Sequence, residues 1–249
     1  TTLTVVALYG NYMLIVMGVQ TLMTAMFNSM NAGIGNLVAE GDKRKIMSVF
    51  AELFSIRFLF SCIMCFGVLM ITPAFVSFWI GKKYVMDSLS LLLMTAILFV
   101  NLSRTTVDAY INAYGLFGDI WAPIVEASLN VGLSIILGYY FGLHGVLSGV
   151  LISLLLVVFC WKPYYLFRKG LDERLSIYIF MYARHLMAAL LCGVIVCLGM
   201  RYSMVQGDTT FFDGLLGILV FSILSTLTLL CVAPGMRNLM RRFIRMCHV

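Results

Sequence analysis

Seven long apolar runs, separated by short charged gaps, limit how this chain can fold more than any other feature. Hydrophobic residues make up 62% of its 249 residues, charged residues make up 11%, and the mean hydropathy is +1.01. A water-soluble domain cannot bury that much apolar surface, so most of the chain is predicted to lie in lipid. The predicted spans are Val5–Asn28, Met47–Phe78, Leu91–Ala113, Ile124–Phe141, Val146–Trp161, Ile177–Leu198 and Leu215–Val232.

These runs are continuously apolar and do not alternate, which favours helices over the strands of a β-barrel. The predicted fold class is therefore all-α: a polytopic membrane helix bundle of about seven transmembrane helices.

The basic residues predict how the bundle sits in the membrane. They concentrate in the gap at Lys43–Lys45, in the gap at Arg168–Arg174 and in the tail at Arg237–Arg245, which share one face if there are seven spans. A basic excess marks the cytoplasmic face, so the carboxyl terminus is predicted to be cytoplasmic. The tail directly follows a span, which favours contact with anionic head groups and argues against binding of nucleic acid.

The first residue, Thr1, comes directly before a span, and an odd number of spans places the two ends on opposite faces. Both points lead us to expect the carboxyl-terminal part of a longer protein. A trimmed but complete seven-span protein is the alternative.

Glycines and small residues predict a tight hairpin between the fourth and fifth spans. A turn as short as Gly142–Gly145 can join only antiparallel helices that lie side by side. Ser134, Gly138 and Gly149 follow the helical spacing that allows two backbones to approach closely. A change in composition near residue 168 divides the chain into a five-span unit, residues 1–168, and an added helix pair with a basic tail, residues 169–249.

No catalytic signature is found in the sequence: it has no phosphate-binding loop, dinucleotide fingerprint, zinc-protease motif or nucleophile elbow. The three histidines are scattered, and Cys62 and Cys65, although spaced as C-x-x-C, lie inside a span with no second ligand pair. We therefore predict neither an enzyme nor a protein with a metal or cofactor.

Polar residues inside three of the spans are the candidate functional residues. A charge at bilayer depth costs several kcal/mol (about 2.5–3.5 on insertion scales) unless it faces protein or water. The candidates are Glu52, Arg57, Asn101, Arg104, Asp108, Asn112, Glu126 and Asn130.

The spacing of these residues suggests specific pairs. Arg104 and Asp108 are four residues apart on one helix face and can pair directly. Glu52 could meet Arg104 across helices, and Arg57 could meet Glu126. Two interpretations remain open: the groups neutralise one another and hold the helices together, or they line a hydrated cavity in which arginine binds phosphate, asparagines bind sugar hydroxyls, and carboxylates take up a coupling ion.

Several short motifs resemble bacterial polysaccharide-biosynthesis transporters. These are the O-antigen-type flippases of the multidrug/oligosaccharidyl-lipid/polysaccharide exporter superfamily. The matching segments are Tyr12–Ser29, Gly33–Asp42, the W-x-G at Trp79–Gly81, and the P-x-x-E-x-x-x-N-x-x-x-S stretch at Pro123–Ser134 that leads into Gly142–Gly149.

The resemblance covers roughly Leu8–Arg168 and implies a function. It implies that the chain is the partial second lobe of a two-lobe transporter in the bacterial inner membrane, with the amino-terminal lobe missing. The cargo would be an undecaprenyl-diphosphate-linked oligosaccharide for lipopolysaccharide or another surface polysaccharide, flipped by alternating access. We expect Arg104 to bind its phosphate, Asn101, Asn112 and Asn130 to bind its sugars, and Glu126 or Asp108 to balance charge or couple transport to an ion. Expected partners are the lipid bilayer, the missing lobe and the polysaccharide polymerisation machinery.

Two other functions stay open at this stage. One is a cation-coupled multidrug or metabolite exporter of the same superfamily, and the other is a non-transporting membrane scaffold.

Overall fold

The computed structural model describes residues 3–204 and 211–247, which are almost entirely helical. The α-helices are α1 (Leu3–Glu40), α2 (Lys43–Trp79), α3 (Ser88–Ser103), α4 (Thr105–Ala113), α5 (Trp121–Leu154), α6 (Lys162–Leu166), α7 (Leu175–Met204), α8 (Phe211–Val232) and α9 (Pro234–Cys247). A 3-10 turn at Lys82–Tyr84 precedes α3, and π-helical turns at Leu155–Trp161 and Phe167–Leu171 flank α6.

Six helical segments in the described part of the chain are long and apolar enough to cross a membrane. The fourth, Trp121–Leu171, contains 51 residues and has a non-helical Gly142 within it, at φ 59° and ψ −133°. At this glycine the segment folds back into two antiparallel stretches. The all-α, multi-pass character that was predicted is therefore confirmed, whereas the assignment to one lobe of a two-lobe transporter stays a prediction.

Close backbone contact holds the two halves of this folded-back segment together. A Cβ built on Gly138 would lie 2.8 Å from the Val146 side chain, and one built on Gly149 would lie 2.6 Å from the Ser134 nitrogen. The Ser134 hydroxyl also donates a hydrogen bond to the Val146 carbonyl, at 3.3 Å. A single straight helix would hold Ser134 and Gly149 about 22 Å apart. The predicted antiparallel hairpin is confirmed.

Polar contacts between distant parts of the chain identify the two ends of the bundle. At one end Lys43 pairs with Asp172 at 2.9 Å, and Arg242 pairs with Glu52 at 3.3 Å. These contacts bring the three predicted basic clusters together at this end, which we call the basic end. At the opposite end Asp87 contacts His144 at 2.7 Å. That the basic end is cytoplasmic stays a prediction.

The predicted breaks occur near the expected residues, but the first helix is longer than its predicted span. Gly41 has a φ of 75°, and the Asp42 carboxylate caps α2 by accepting the backbone N–H groups of Arg44 and Lys45. The span predicted to end at Asn28 continues as α1 to Glu40. Thirty-eight residues measure about 57 Å, so α1 must tilt or extend beyond a bilayer core of about 30 Å.

Helix α2 is the centre of the packing. Its buried Phe50, Phe54 and Phe58 contact aromatic rings of α4, α7 and the π-helical turn after α6. Phe66 stacks on Phe221 of α8 with ring centroids 4.3 Å apart. The last two spans thus share a core with α2, and the predicted division after residue 168 stays a prediction.

We expect Gly145→Ala to destabilise the hairpin by about 1–3 kcal/mol, because the added methyl group would overlap the Leu137 carbonyl oxygen. Gly132→Ala is the matched control, since no atom lies within 4 Å of a Cβ at that position of the same helix. Unfolding by SDS titration in detergent micelles, followed by circular dichroism, measures both variants. Equal stability of the two variants would contradict this packing.

The Asp87–His144 contact predicts a pH dependence at the end opposite the basic end. Partial burial of Asp87 opposes its ionisation, but the hydrogen bonds from His144 and Ser90 outweigh burial and lower its pKa to about 2. Because the folded-state pKa lies below the ordinary value of about 3.9, the contribution to stability is complete above pH 4 and is lost as the pH falls through about 2. The difference in melting temperature between wild type and Asp87→Asn should therefore shrink between pH 4 and pH 2. A difference that is constant over this interval would contradict the prediction.

Candidate functional site

A polar cavity of about 470 Å³ opens between α1, α2 and the α3–α4 segment. Its polar lining residues are Gln20, Thr24, Asn28, Asn31, Arg57, Asn101, Arg104, Thr105, Asp108 and Asn112. Five of the eight predicted residues, Arg57, Asn101, Arg104, Asp108 and Asn112, line this one cavity. The prediction that neighbouring helices turn polar faces toward one another agrees with this geometry.

Helix α1 supplies a polar stripe that the sequence analysis missed. Gln20, Thr24, Asn28 and Asn31 are spaced by four, four and three residues, which places them on one helix face. The stripe was missed because α1 carries no charged side chain between Leu3 and Val38, and charged residues inside the spans were the strongest signal. A search for uncharged amides and hydroxyls at helical spacing would have found the stripe.

Arg57 carries a buried positive charge at the wall of the cavity. The residue is only 2% exposed. Its guanidinium donates hydrogen bonds to the Thr105 carbonyl at 3.0 Å, to the Asn31 side-chain oxygen at 3.0 Å and to the Phe27 carbonyl at 3.5 Å. The Phe27 ring adds a cation–π contact at 5.3 Å.

The charge of Arg57 has no counter-charge nearby. No carboxylate of residues 3–204 or 211–247 comes within 4.0 Å of its guanidinium, which is bonded only to neutral oxygens. Its Nε is buried and has no hydrogen-bond partner. Unsatisfied buried polar groups are costly, so the uncompensated charge of Arg57 sets this residue apart from the other side chains of the cavity.

Arg104, by contrast, is neutralised. It contacts Asp108 at 3.3 Å, as predicted, and Glu126 at 3.9 Å. Asp108 also accepts a hydrogen bond from Lys162 at 2.8 Å. Lys162 follows the fifth predicted span directly and was not among the predicted residues. The resulting chain, Glu126–Arg104–Asp108–Lys162, links three helical segments and has a net charge of zero.

Two of the predicted pairs are wrong. Glu52 does not meet Arg104: it is 4% exposed, accepts a hydrogen bond from Ser48 and pairs with Arg242 of α9. Arg57 does not meet Glu126, because its side chain is directed at α1 and α4. Spacing along one chain could not reveal which helix faces which.

Three candidates do not line the cavity. Glu52 lies at the basic end, and Glu126 reaches the cavity only through its contact with Arg104. Asn130 accepts a hydrogen bond from Ser134, one turn further along its own helix, at 3.2 Å. The side-chain oxygen of Asn130 therefore finds its hydrogen-bond partner within its own helix.

Helices α3 and α4 form one continuous segment past the charged groups. Helix α3 ends at Ser103 and α4 begins at Thr105, but Arg104 between them keeps helical angles, φ −71° and ψ −19°. Its backbone N–H donates to the Val100 carbonyl, and its carbonyl accepts from the Asp108 N–H. The Thr105 hydroxyl bonds back to the Leu102 carbonyl, and the Thr105 carbonyl accepts from Arg57.

No cluster of three or more histidine, cysteine, aspartate or glutamate residues able to hold a metal ion occurs among the described residues. Cys62 and Cys65 are buried and free, and they pack in the apolar core.

Comparison of the chain with models of protein families, with curated proteins and with solved structures finds no match. The class that the helices support is that of a multi-pass membrane protein. A narrower class of protein can be argued only from the geometry and charge of the polar cavity.

Asp108→Asn should destabilise the bundle by about 1–3 kcal/mol, because Lys162 loses its partner and Arg104 keeps only the longer contact with Glu126. We expect the double variant Asp108→Asn, Lys162→Met to recover part of that loss. Unfolding by SDS titration provides the measurement.

The matched control is Asp172→Asn, which breaks the pair of Lys43 and Asp172, whose side chains are 68% and 77% exposed. Exposed pairs contribute little, so no measurable change is expected. If the two asparagine variants behaved alike, the Asp108 network would not be a structural element of the site.

Proposed function

We propose that the chain is part of a membrane transporter that flips a diphosphate-linked oligosaccharide lipid across the bacterial inner membrane for surface polysaccharide biosynthesis. The observation that carries the proposal is Arg57: a buried guanidinium without a counter-charge, beside a cavity lined with amides and hydroxyls. Such a site suits a ligand that combines an anionic phosphate with many hydroxyl groups.

The roles of the two cavity arginines differ from those expected from sequence. Arg104 was the candidate for phosphate, but its charge is shared between Asp108 and Glu126. Arg57 is therefore assigned to the phosphate, while Asn31, Asn101 and Asn112 are suited to sugar hydroxyls. The Arg104 network holds the α3–α4 segment against α5 and α6.

The open side of the cavity fits a two-lobe transporter. Asn28, Asn31 and Asn112 are exposed at its rim, so the polar surface continues outward from the bundle. A second lobe would close this side, and movement between the lobes would open the cavity to one face of the membrane at a time. The lipid tail would stay in the bilayer.

A cation-coupled exporter is supported less well by the same cavity. Such a protein needs a carboxylate that is free to bind a proton, a metal ion or a cationic drug. Asp108, the carboxylate that lines the cavity, is paired with Arg104 and Lys162, and Glu126 contacts Arg104. A non-transporting scaffold would use Arg57 to hold α1, α2 and α4 together, but it gives no role to the polar cavity beside this residue.

Arg57→Met, introduced at the native locus, should lower surface polysaccharide at least about tenfold at normal protein level. Charge-assisted hydrogen bonds contribute about 1.5–3 kcal/mol, which corresponds to roughly tenfold to a hundredfold in affinity. Lipid-linked oligosaccharide should accumulate on the cytoplasmic face, as measured by its access to a water-soluble sugar-modifying enzyme in oriented vesicles.

Two further variants control this experiment. Arg57→Lys keeps the charge and should retain part of the function, whereas Arg44→Met alters an exposed arginine at the start of the same helix and should have no effect. Wild-type polysaccharide with Arg57→Met would rule out the assigned role. Gradient-driven efflux of cationic dyes that survives in this variant would favour the exporter instead.

A further inference from the structure

The first turn of α9 is held at the membrane end of the bundle. Helix α8 ends at Val232 and α9 begins at Pro234, so one residue separates a membrane-spanning helix from α9. Gly235 packs directly against the Ala51 carbonyl of α2, and a side chain there would also meet the Ser55 hydroxyl at 2.7 Å. This turn therefore lies where an apolar span gives way to the lipid head groups.

Helix α9 separates its apolar and basic residues around its circumference. Arg237, Arg241 and Arg245 recur every four residues along one face. Phe243 lies on the apolar side with Met236 and Met240 and is 60% exposed. Ile244, seven residues after Arg237, lies at the border of the basic face and is 49% exposed. Large exposed apolar groups next to a basic face are the pattern of a helix that contacts both the acyl chains and the phosphates of a membrane surface.

Helix α7 turns a second unpaired arginine toward this basic face. Arg184 is partly buried, and α7 and α9 meet at Ser55: the ring of His185, the residue after Arg184, lies 3.0 Å from the Ser55 hydroxyl, against which Gly235 also packs. Arg184 and Arg237 adjoin this contact, where their like charges repel each other. The Nε of Arg184 is buried without a hydrogen-bond partner. Across the described parts of the chain, neither arginine has a carboxylate within 4.0 Å.

The buried acid at this end of the bundle does not relieve that repulsion. Glu52 is engaged by Arg242 at 3.3 Å and by the Ser48 hydroxyl at 3.1 Å. An anion between α7 and α9 would offset the repulsion of these two like charges and satisfy the free donor of Arg184. A phosphate offers several acceptor oxygens to two guanidinium groups at once.

We propose that Arg184 and Arg237 form a site, between α7 and α9, for the phosphate of an anionic phospholipid. The neighbouring Phe243 and Ile244 favour a lipid over free phosphate, because they provide apolar surface for its acyl chains. Basic pockets between transmembrane helices bind anionic head groups in this way. The site shares no residue with the cavity at Arg57 and does not depend on the proposed transport function.

The test uses the full chain in nanodiscs of phosphatidylcholine, titrated with short-chain phosphatidylglycerol, and lipid binding is measured by native mass spectrometry. Arg184→Gln and Arg237→Gln should each weaken phosphatidylglycerol binding about fivefold, since one basic group near the surface contributes about 1 kcal/mol. Arg174→Gln, the same change in an exposed arginine at the basic end, should bind as wild type does. The double variant Arg184→Lys, Arg237→Lys keeps both charges and should retain most of the binding. It therefore separates the effect of lost charge from the effect of a folding defect.

Three outcomes would overturn the proposal. Wild-type affinity in both glutamine variants would remove these arginines from lipid binding. Competition by inorganic phosphate at the same concentration as the lipid would show that the site does not recognise a lipid. Equal occupancy by phosphatidylglycerol and phosphatidylcholine would show that the site does not select an anionic head group.

Discussion

Arg57 joins three helices through one buried charge. Its guanidinium bonds to two groups of α1 and to the backbone of α4, while its own backbone lies within α2. In lipid, apolar contact alone gives helices little reason to associate, so interhelical hydrogen bonds of this kind decide which helices stay together. The position of α1, most of whose surface is exposed, and the shape of the polar cavity both depend on this group.

The arginines inside the described bundle divide into two kinds according to their electrostatic surroundings. Arg104 takes part in a chain of alternating charges that cancels, and it therefore serves to hold α3, α4, α5 and α6 in a defined arrangement. Arg57 and Arg184 each keep a buried, unbonded Nε and have no carboxylate in contact. Charges of the second kind attract anions, whereas the charge of Arg104 is satisfied within the protein.

Packing is tight where the fold must be rigid and open where a ligand could enter. The aromatic core around α2 and the glycine hairpin at Gly142 bring backbones and rings into direct contact. On the other side of α2, polar stripes of α1 and of α3–α4 stand apart around a cavity of about 470 Å³. The same helix thus supports a closed apolar core on one side and a polar pocket on the other.

Hydropathy and spacing alone were enough to determine the helical membrane class, the gap between the first two spans, the hairpin at Gly142 and the local pair of Arg104 and Asp108, because each depends on residues close in sequence. Which helices become neighbours was decided only in the tertiary structure. Glu52 pairs with Arg242, nearly two hundred residues away, and Arg57 pairs with an uncharged stripe of α1. Period and polarity show which face of a helix is polar, but the partner of that face depends on how all the helices pack at once.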